Sequence, residues 1–195
     1  MRRIWPSLLA TAVSGSVALA GGPGASLVGK PSPEWPVLRW VQGGPLSLSD
    51  LRGKVVLVRF FMDADCPYCS ATAPALNALY REFGSRGLVV VGMYTPKPRP
   101  TPTTVEEVSR YVAAYGFLFP VAIDDEWSAL RRLWLDRVPD AEFTSASLLI
   151  DREGIVRHVH PGGSFAANSK DAKARAEYAA MRAAVVSALG GRGED

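Results

Sequence analysis

The chain has 195 residues and is 48% hydrophobic, which suits one ordinary domain with a real core and excludes a disordered chain. Its formal net charge is only +3 and the basic side chains are not clustered, so a nucleic-acid footprint is not evident despite a pI of 9.0. No internal repeat occurs, which excludes a repeat architecture.

The N-terminal segment, residues 1–20, has the pattern of a secretory signal peptide. Arg2-Arg3 is a short basic start, residues 4–17 are mostly apolar or small, and Ala18-Leu19-Ala20 is the small-x-small pattern that precedes cleavage. We therefore expect cleavage after Ala20 and export, to the periplasm or otherwise beyond the cytoplasmic membrane. The alternative is an uncleaved N-terminal membrane anchor, although the apolar run is short for a spanning helix.

Composition divides the chain into four parts. These are the signal peptide, a Gly/Pro-rich linker, a compact α/β domain and a short tail, at residues 1–20, 21–36, 37–190 and 191–195. The domain begins with residues 37–41 and 45–48 on either side of Gly43-Gly44, which is typical of a β-hairpin. We therefore predict an N-terminal β-hairpin.

Strand and helix signals alternate along the rest of the domain. Apolar, β-branched runs predict buried strands at residues 54–61, 88–94 and 119–123. Helical spacing or capping residues predict helices at residues 70–83, from Thr104 onward, at 126–135 and at 170–189. A second hairpin, formed by residues 147–150 and 155–160, precedes the last helix. This order predicts a mixed sheet with helices on both faces.

The only two cysteines form the sequence Cys66-Pro67-Tyr68-Cys69, between the first apolar run and the first helix. Two intervening residues let the thiols close a small ring at a helix start, where free backbone N–H groups and the helix dipole favour the Cys66 thiolate. Such a thiol both attacks disulfides and leaves them readily. The alternative, half of a zinc site, needs two further ligands, and the chain offers only His158 and His160.

Other segments accompany the cysteines in a fixed order. Residues 46–54 and Phe60-Phe61 come before them, and Pro74 and residues 148–154 come after. In this combination the chain resembles the thioredoxin superfamily, and within it the exported TlpA/ResA-like thiol-disulfide oxidoreductases, over roughly residues 37–190. The resemblance implies a thioredoxin-like α/β fold, with a central mixed sheet, helices on both faces and the N-terminal β-hairpin.

The resemblance also implies an order of events at the cysteines. Cys66 attacks a partner's disulfide and forms a mixed disulfide, which Cys69 resolves by closing the Cys66–Cys69 bond. Pro67 and Tyr68 are expected to tune the redox poise, because Pro67 has no N–H to offer the thiolate and stiffens the loop. The expected partners are protein thiols or disulfides and an upstream redox partner. We expect a monomer that uses no cofactor and no metal and binds no nucleic acid.

Two positions depart from that family on the strand side of the site. Ser145, after Thr144, stands where the family has a cis-proline, and we expect a trans peptide there. Both residues are expected to line the substrate groove, the alternative being an ordinary strand start. Arg59 replaces a buried acid. It either lowers the pKa of a nearby thiol or, as we favour, pairs with Asp63 or Asp65, since a buried unpaired charge is costly.

The third departure is Asp65, which stands directly before Cys66 where relatives have a tryptophan. A carboxylate at this place disfavours the thiolate by repulsion, unless it caps the helix or accepts a proton. Of these roles we expect capping.

Two further functional classes share the fold. A peroxiredoxin needs a threonine or serine three residues before its reactive cysteine and a proline seven before, and this chain has Asp63 and Arg59 there. A copper-binding module usually spaces its cysteines by three residues, whereas this chain has two between them. His158 and His160 lie on one strand face, but such a pair is more often a surface feature than a metal site.

Overall fold

The computed structural model of the protein describes residues 21–36, 38–63 and 65–190. The predictions for the signal peptide at residues 1–20, for Val37 and for the tail at residues 191–195 lie outside the described residues. No helix within the described ranges is long and apolar enough to cross a membrane.

One mixed sheet of six strands forms the centre of the domain, with the long apolar runs in its middle. The strands are β1 at Arg39–Gln42, β2 at Val55–Phe61, β3 at Leu88–Tyr94, β4 at Val121–Ile123, β5 at Ser147–Ile150 and β6 at Val156–His160. Their order across the sheet is β1-β4-β3-β2-β5-β6. β2, β3 and β4 are parallel, and β1, β5 and β6 pair antiparallel with their neighbours. The predicted mixed sheet and the second hairpin, β5–β6, are confirmed.

Helices cover both faces of this sheet. They are α1 at Pro67–Phe83, α2 at Val105–Tyr115, α3 at Ser128–Leu130 and α4 at Ala172–Gly190. The first, second and fourth pack on the face that carries Leu57 and Phe61, and α3 packs on the face that carries Val58 and Phe60. All seven residues of β2 are buried, because this central strand is covered on both sides.

The third predicted helix, at residues 126–135, is broken in the structure. α3 is a single turn that continues as a wide π-helical turn at Arg131–Leu135. The carboxylate of Asp124 accepts hydrogen bonds from the backbone N–H groups of Ala129 and Leu130 at 3.0 and 2.8 Å, and so fixes the start of the turn. The wide turn buries Trp134 completely in the second core, which is the cluster of apolar side chains on the sheet face that carries Val58 and Phe60.

The predicted N-terminal hairpin is wrong. β1 pairs with β4, in the register Arg39 to Ile123 and Trp40 to Ala122, and residues 45–48 form no strand. Pro45 has no N–H for a ladder, and Leu48 instead donates its N–H to the carboxylate of Glu34 at 2.6 Å. The strand signal before Gly43-Gly44 was therefore correct, but its pairing partner lies far along the chain.

Residues 21–36, whose composition is that of a linker, lie against β6. The backbone N–H of Gly29 donates to the carbonyl of Val156 at 2.8 Å, and the N–H of Val156 donates to the backbone carbonyl of Lys30 at 3.0 Å. Leu27 and Trp35 are buried in the second core. These contacts extend the packed structure towards the N-terminus beyond β1.

The start of α2 allows a direct stability test. Thr104, from which the sequence predicted the helix to run, is its N-cap, and the Thr104 hydroxyl and the Glu107 carboxylate form a reciprocal capping box. We expect Thr104→Ala to lower the free energy of unfolding by about 1 kcal/mol, measured by urea denaturation. Glu106→Ala, which removes a first-turn carboxylate outside the box, is the matched control and should cost only about 0.3 kcal/mol. Equal losses in both variants would contradict the capping role.

Candidate active site

The two cysteines lie at the N-terminus of α1 and form a disulfide with each other. Cys66 is the N-cap, and its sulfur accepts a hydrogen bond from the backbone N–H of Cys69 at 3.2 Å. Pro67 is the first helical residue, a position that suits proline because the N–H it lacks has no helical acceptor there. α1 thus begins three residues earlier than the apolar pattern predicted. The helix N-terminus directs N–H groups and its positive dipole end at the Cys66 sulfur.

The rest of the protein covers both sulfurs closely. Cys66 is 4% exposed and Cys69 is 2% exposed. Cys69 faces the end of β2, where the backbone N–H of Met62 donates to the Cys69 sulfur at 3.5 Å. This contact makes Cys69 the inner member of the pair, on the side of β2.

An exposed aromatic pair stands beside the disulfide. The rings of Tyr68 and Phe143 meet edge to face with their centroids 5.9 Å apart, and they are 46% and 37% exposed. The backbone of Gly162 approaches Phe143 so closely that a Cβ there would overlap the Phe143 side chain. Phe143 was not singled out from the sequence, and the one signal for it was its place directly before Thr144.

Thr144 and Ser145, which were expected to line the substrate groove, are both buried. Their side chains are 9% and 4% exposed, and the peptide bond between them is trans. The Thr144 hydroxyl donates to the sulfur of Met62 at 3.9 Å, and the backbone N–H of Met62 donates to the sulfur of Cys69. The structure therefore brings Thr144 within two contacts of the inner cysteine.

The acidic residues before Cys66 take other places than predicted. Asp65 is exposed and does not cap α1, because Cys66 itself occupies the N-cap position. The backbone carbonyl of Asp63 accepts hydrogen bonds from the N–H of Cys66 at 3.2 Å and from the Tyr115 hydroxyl at 2.5 Å. Burial, and then the charge of Asp63, raise the pKa of Tyr115 to about 12. Tyr115 therefore stays a neutral donor that holds the loop leading into the cysteines.

Arg59 is completely buried, and its predicted pairing with Asp63 or Asp65 is wrong. Its guanidinium donates to the Ser147 hydroxyl at 3.3 Å and to the carbonyl of Gly163 at 2.9 Å. It also lies over the ring of Phe165, 5.7 Å from the centroid. Burial lowers the pKa of Arg59 to about 9, so the group keeps its charge at neutral pH. No carboxylate among the described residues lies within 4.0 Å of it.

His160 lies next to this arginine along the sheet. Ser147 pairs with Arg59 on one side and with His160 on the other, which sets the three residues in one row across β2, β5 and β6. Burial, and then the charge of Arg59, lower the pKa of His160 to about 3. The described residues contain no group of three side chains able to hold a metal ion, so His158 and His160 are not joined by a third ligand.

Comparison with known proteins adds three findings. A model described as the AhpC/TSA family matches residues 28–159. The thiol-disulfide oxidoreductase ResA of Halalkalibacterium halodurans is 28% identical over 127 residues, or 65% of this chain and 65% of ResA, which is less than two thirds of that relative. The chloroplastic peroxiredoxin Q of Sedum lineare is 28% identical over 123 residues, 61% of each chain.

Among solved structures, one described as the thiol:disulfide interchange protein DsbE of Chlorobium tepidum has a TM-score of 0.64 at 23% identity. The superposition covers 84% of this chain and 98% of DsbE. At this identity the likeness concerns the fold alone, and it confirms the predicted thioredoxin-like α/β architecture.

Proposed function

The chain belongs to the AhpC/TSA family, and on this premise we propose that it is a thiol-disulfide oxidoreductase that works through Cys66 and Cys69. The observation that carries the proposal is the disulfide at the N-terminus of α1, with Cys66 as N-cap and Cys69 turned towards β2. A helix N-terminus lowers the pKa of a thiol, and a thiolate is the attacking form in disulfide exchange.

The exchange proceeds in two balanced steps. In the reduced protein, the Cys66 thiolate attacks a partner's disulfide, so that a Cys66–partner bond forms and the partner's own S–S bond breaks with release of one thiolate. The Cys69 thiol then loses its proton and attacks the Cys66 sulfur. The Cys66–Cys69 disulfide re-forms, and the partner leaves with both of its sulfurs reduced. The same steps in reverse oxidise a dithiol.

The roles around the cysteines follow from their contacts. Pro67 starts α1 without an N–H, Tyr68 presents an exposed ring beside the sulfurs, and the Thr144 hydroxyl, next to Ser145, contacts Met62 behind Cys69. We propose that these residues line the groove that receives an extended segment of a protein partner. Asp65, exposed directly before Cys66, faces that partner as a negative charge.

Turnover of a protein disulfide tests the proposal. The purified chain should accelerate the reduction of insulin disulfides by dithiothreitol, followed by the turbidity of the insulin B chain that precipitates. The expected result is a rate well above that of dithiothreitol alone. A rate equal to the dithiothreitol background would overturn the proposed activity.

A peroxidase function has one observation in its favour, the similarity to peroxiredoxin Q. Against it, the positions that hold a hydroxyl residue and a proline in peroxiredoxins are Asp63 and Arg59 here. Asp63 contacts Cys66 only through its backbone carbonyl, and Arg59 is turned into the core. We therefore expect no peroxide consumption by the reduced protein above that of free dithiol, and consumption at an enzymatic rate would favour the peroxidase.

We further propose that the domain acts as an exported monomer. The support is the sequence pattern of residues 1–20, with a cleavage position after Ala20, followed by a domain over residues 37–190 on which residues 21–36 pack. The partners would be protein thiols and disulfides and an upstream redox protein. The mass of the chain recovered from the producing cells would locate the N-terminus and so decide between cleavage and an N-terminal anchor.

The exposed aromatic pair gives a prediction about partner binding. Because Tyr68 and Phe143 present apolar edges beside the sulfurs, we expect Phe143→Ala to lower kcat/KM for insulin reduction about threefold to tenfold, mainly through KM. Leu118→Ala is the matched control, since Leu118 is at least as exposed as Phe143 but precedes β4, at the opposite end of the parallel strands from the cysteines. The role in binding would be excluded if both variants turned over insulin like the wild type.

A further inference from the structure

Arg59 carries a buried positive charge that nothing in the proposed exchange steps uses. Its side chain is 1% exposed, and its Nε atom has no hydrogen-bond partner. Its two acceptors, the Ser147 hydroxyl and the Gly163 carbonyl, are neutral. A buried ion without a counter-charge is unfavourable, so a nearby negative charge would be strongly stabilised.

The guanidinium lies on the side of the sheet that α1 covers. Alternate residues of a strand share a face, so Arg59 points to the same side of β2 as Phe61, the side that α1 covers. Phe165 connects the two elements, because its ring lies under the guanidinium and its N–H donates to the Thr72 hydroxyl at 3.3 Å. Thr72 follows Cys69 by three residues and therefore lies on the same face of α1.

The other charged and titratable groups around Arg59 do not neutralise it. From β6, His160 and His158 both have pKa values lowered by burial and are uncharged at neutral pH. From α4, the charges of Lys173 and Glu177 act on these two histidines, with opposite signs. The loop before α1 carries Asp63 and Asp65, and neither is within salt-bridge distance of Arg59. The oxidised site thus keeps one unbalanced positive charge.

We infer that the thiolate formed when the Cys66–Cys69 pair is reduced is the counter-charge that Arg59 lacks in the disulfide form. Arg59 then stabilises the reduced pair and makes the site a stronger oxidant than it would be without this charge. The inference rests on that proposed function. A partner's dithiol supplies two electrons, the Cys66–Cys69 bond breaks and the partner's S–S bond forms. Of the two protons, one stays on a cysteine of the pair and one goes to solvent, leaving one thiolate.

The test removes the charge and measures the redox equilibrium. Arg59→Met fills the space without a charge, and Arg59→Gln keeps a donor for the Gly163 carbonyl. In glutathione buffers, both variants should shift the equilibrium about tenfold towards the disulfide, a potential about 30 mV lower. The pKa of Cys66, read from the pH profile of alkylation, should rise by about one unit. Arg137→Met is the matched control, because that partly buried arginine contacts Pro31 on the other side of the molecule and should change neither quantity.

A second measurement compares unfolding temperatures at neutral pH. Since reduction supplies the missing counter-charge, reducing the Cys66–Cys69 bond should be less favourable for the unfolding temperature in Arg59→Met than in the wild type. The inference is overturned if reduction changes the unfolding temperature equally in both proteins, or if the folded Arg59 variants keep the wild-type potential and thiol pKa. A wild-type protein that never equilibrates with glutathione would instead contradict the proposed function itself.

Discussion

Cys66→Ser is expected to lose insulin-disulfide reduction completely, a fall on the order of 1,000-fold or more relative to the wild type. Serine at the N-cap keeps the hydrogen bond to the N–H of Cys69 and so preserves the start of α1. Its hydroxyl, however, does not form a mixed disulfide. We do not expect Cys69 to replace it, because Cys69 is the inner member of the pair and its sulfur accepts the N–H of Met62 at 3.5 Å. The measurement is insulin turbidity at fixed dithiothreitol concentration.

Cys69→Ser should behave differently from Cys66→Ser. The Cys66 thiolate still attacks, but no thiol remains to resolve the mixed disulfide, so the variant stops after one event. A covalent adduct with the partner, visible on a non-reducing gel and released by dithiothreitol, is the expected product. The trapped partner also identifies the substrate, which the chain's own contacts define only as an extended protein segment.

A nearby serine provides the control for both cysteine variants. The Ser70 hydroxyl donates to the carbonyls of Cys66 and Pro67 and touches neither sulfur, so Ser70→Ala should keep insulin turnover within about twofold of the wild type. Retained turnover in Cys66→Ser would rule out the assignment of the nucleophile. Multiple turnovers in Cys69→Ser, without an adduct, would show that the exchange does not need an internal resolving thiol.

The parts of the fold that the sequence predicted are those decided by local pattern and burial. β2 and β3 are continuous apolar runs because they lie at the centre of a sheet covered on both faces. A run of this kind would expose apolar side chains to water at an edge or on an open face, so its position in the sheet can be predicted. The start of α2 at its N-cap Thr104 is a short-range signal and was predicted for the same reason. The hairpin at Gly43-Gly44 failed because a turn signal fixes a bend and not the partner of the strand before it.

The site shows the same division between local and distant contacts. The position of Cys66 at a helix start follows from neighbouring residues, whereas the surroundings of Arg59 come from Ser147 and Gly163, 88 and 104 positions along the chain. The cost of a buried unpaired charge favoured a carboxylate partner for Arg59, but the neutral acceptors that it has instead come from distant segments whose approach local pattern does not reveal. Phe143 was missed because its contacts with Tyr68 and with the Gly162 backbone join residues that are distant along the chain.

Acidification below pH 6.5 is expected to destabilise the protein through His160. Burial and the charge of Arg59 hold the pKa of His160 at about 3, against 6.5 in the unfolded chain. Between these values the unfolded state binds a proton that the native state does not, so stability is complete above pH 6.5 and falls as the pH is lowered towards 3. The loss is about 1.4 kcal/mol for each pH unit, or about 3 kcal/mol by about pH 4.5. Urea denaturation at a series of pH values measures it.

His160→Gln should flatten this pH dependence, because glutamine takes up no proton in either state. His158→Gln is the matched control: burial also lowers the pKa of His158, but Glu177 opposes that shift, so this variant should flatten the profile less. The carboxylates whose pKa values are lowered, Asp50, Glu82 and Glu107, act only below about pH 5 and leave the upper part of the window to the histidines. An unchanged slope between about pH 5 and 6.5 in His160→Gln would show that His160 is not kept neutral in the folded protein, and that the charge of Arg59 does not act on it across Ser147.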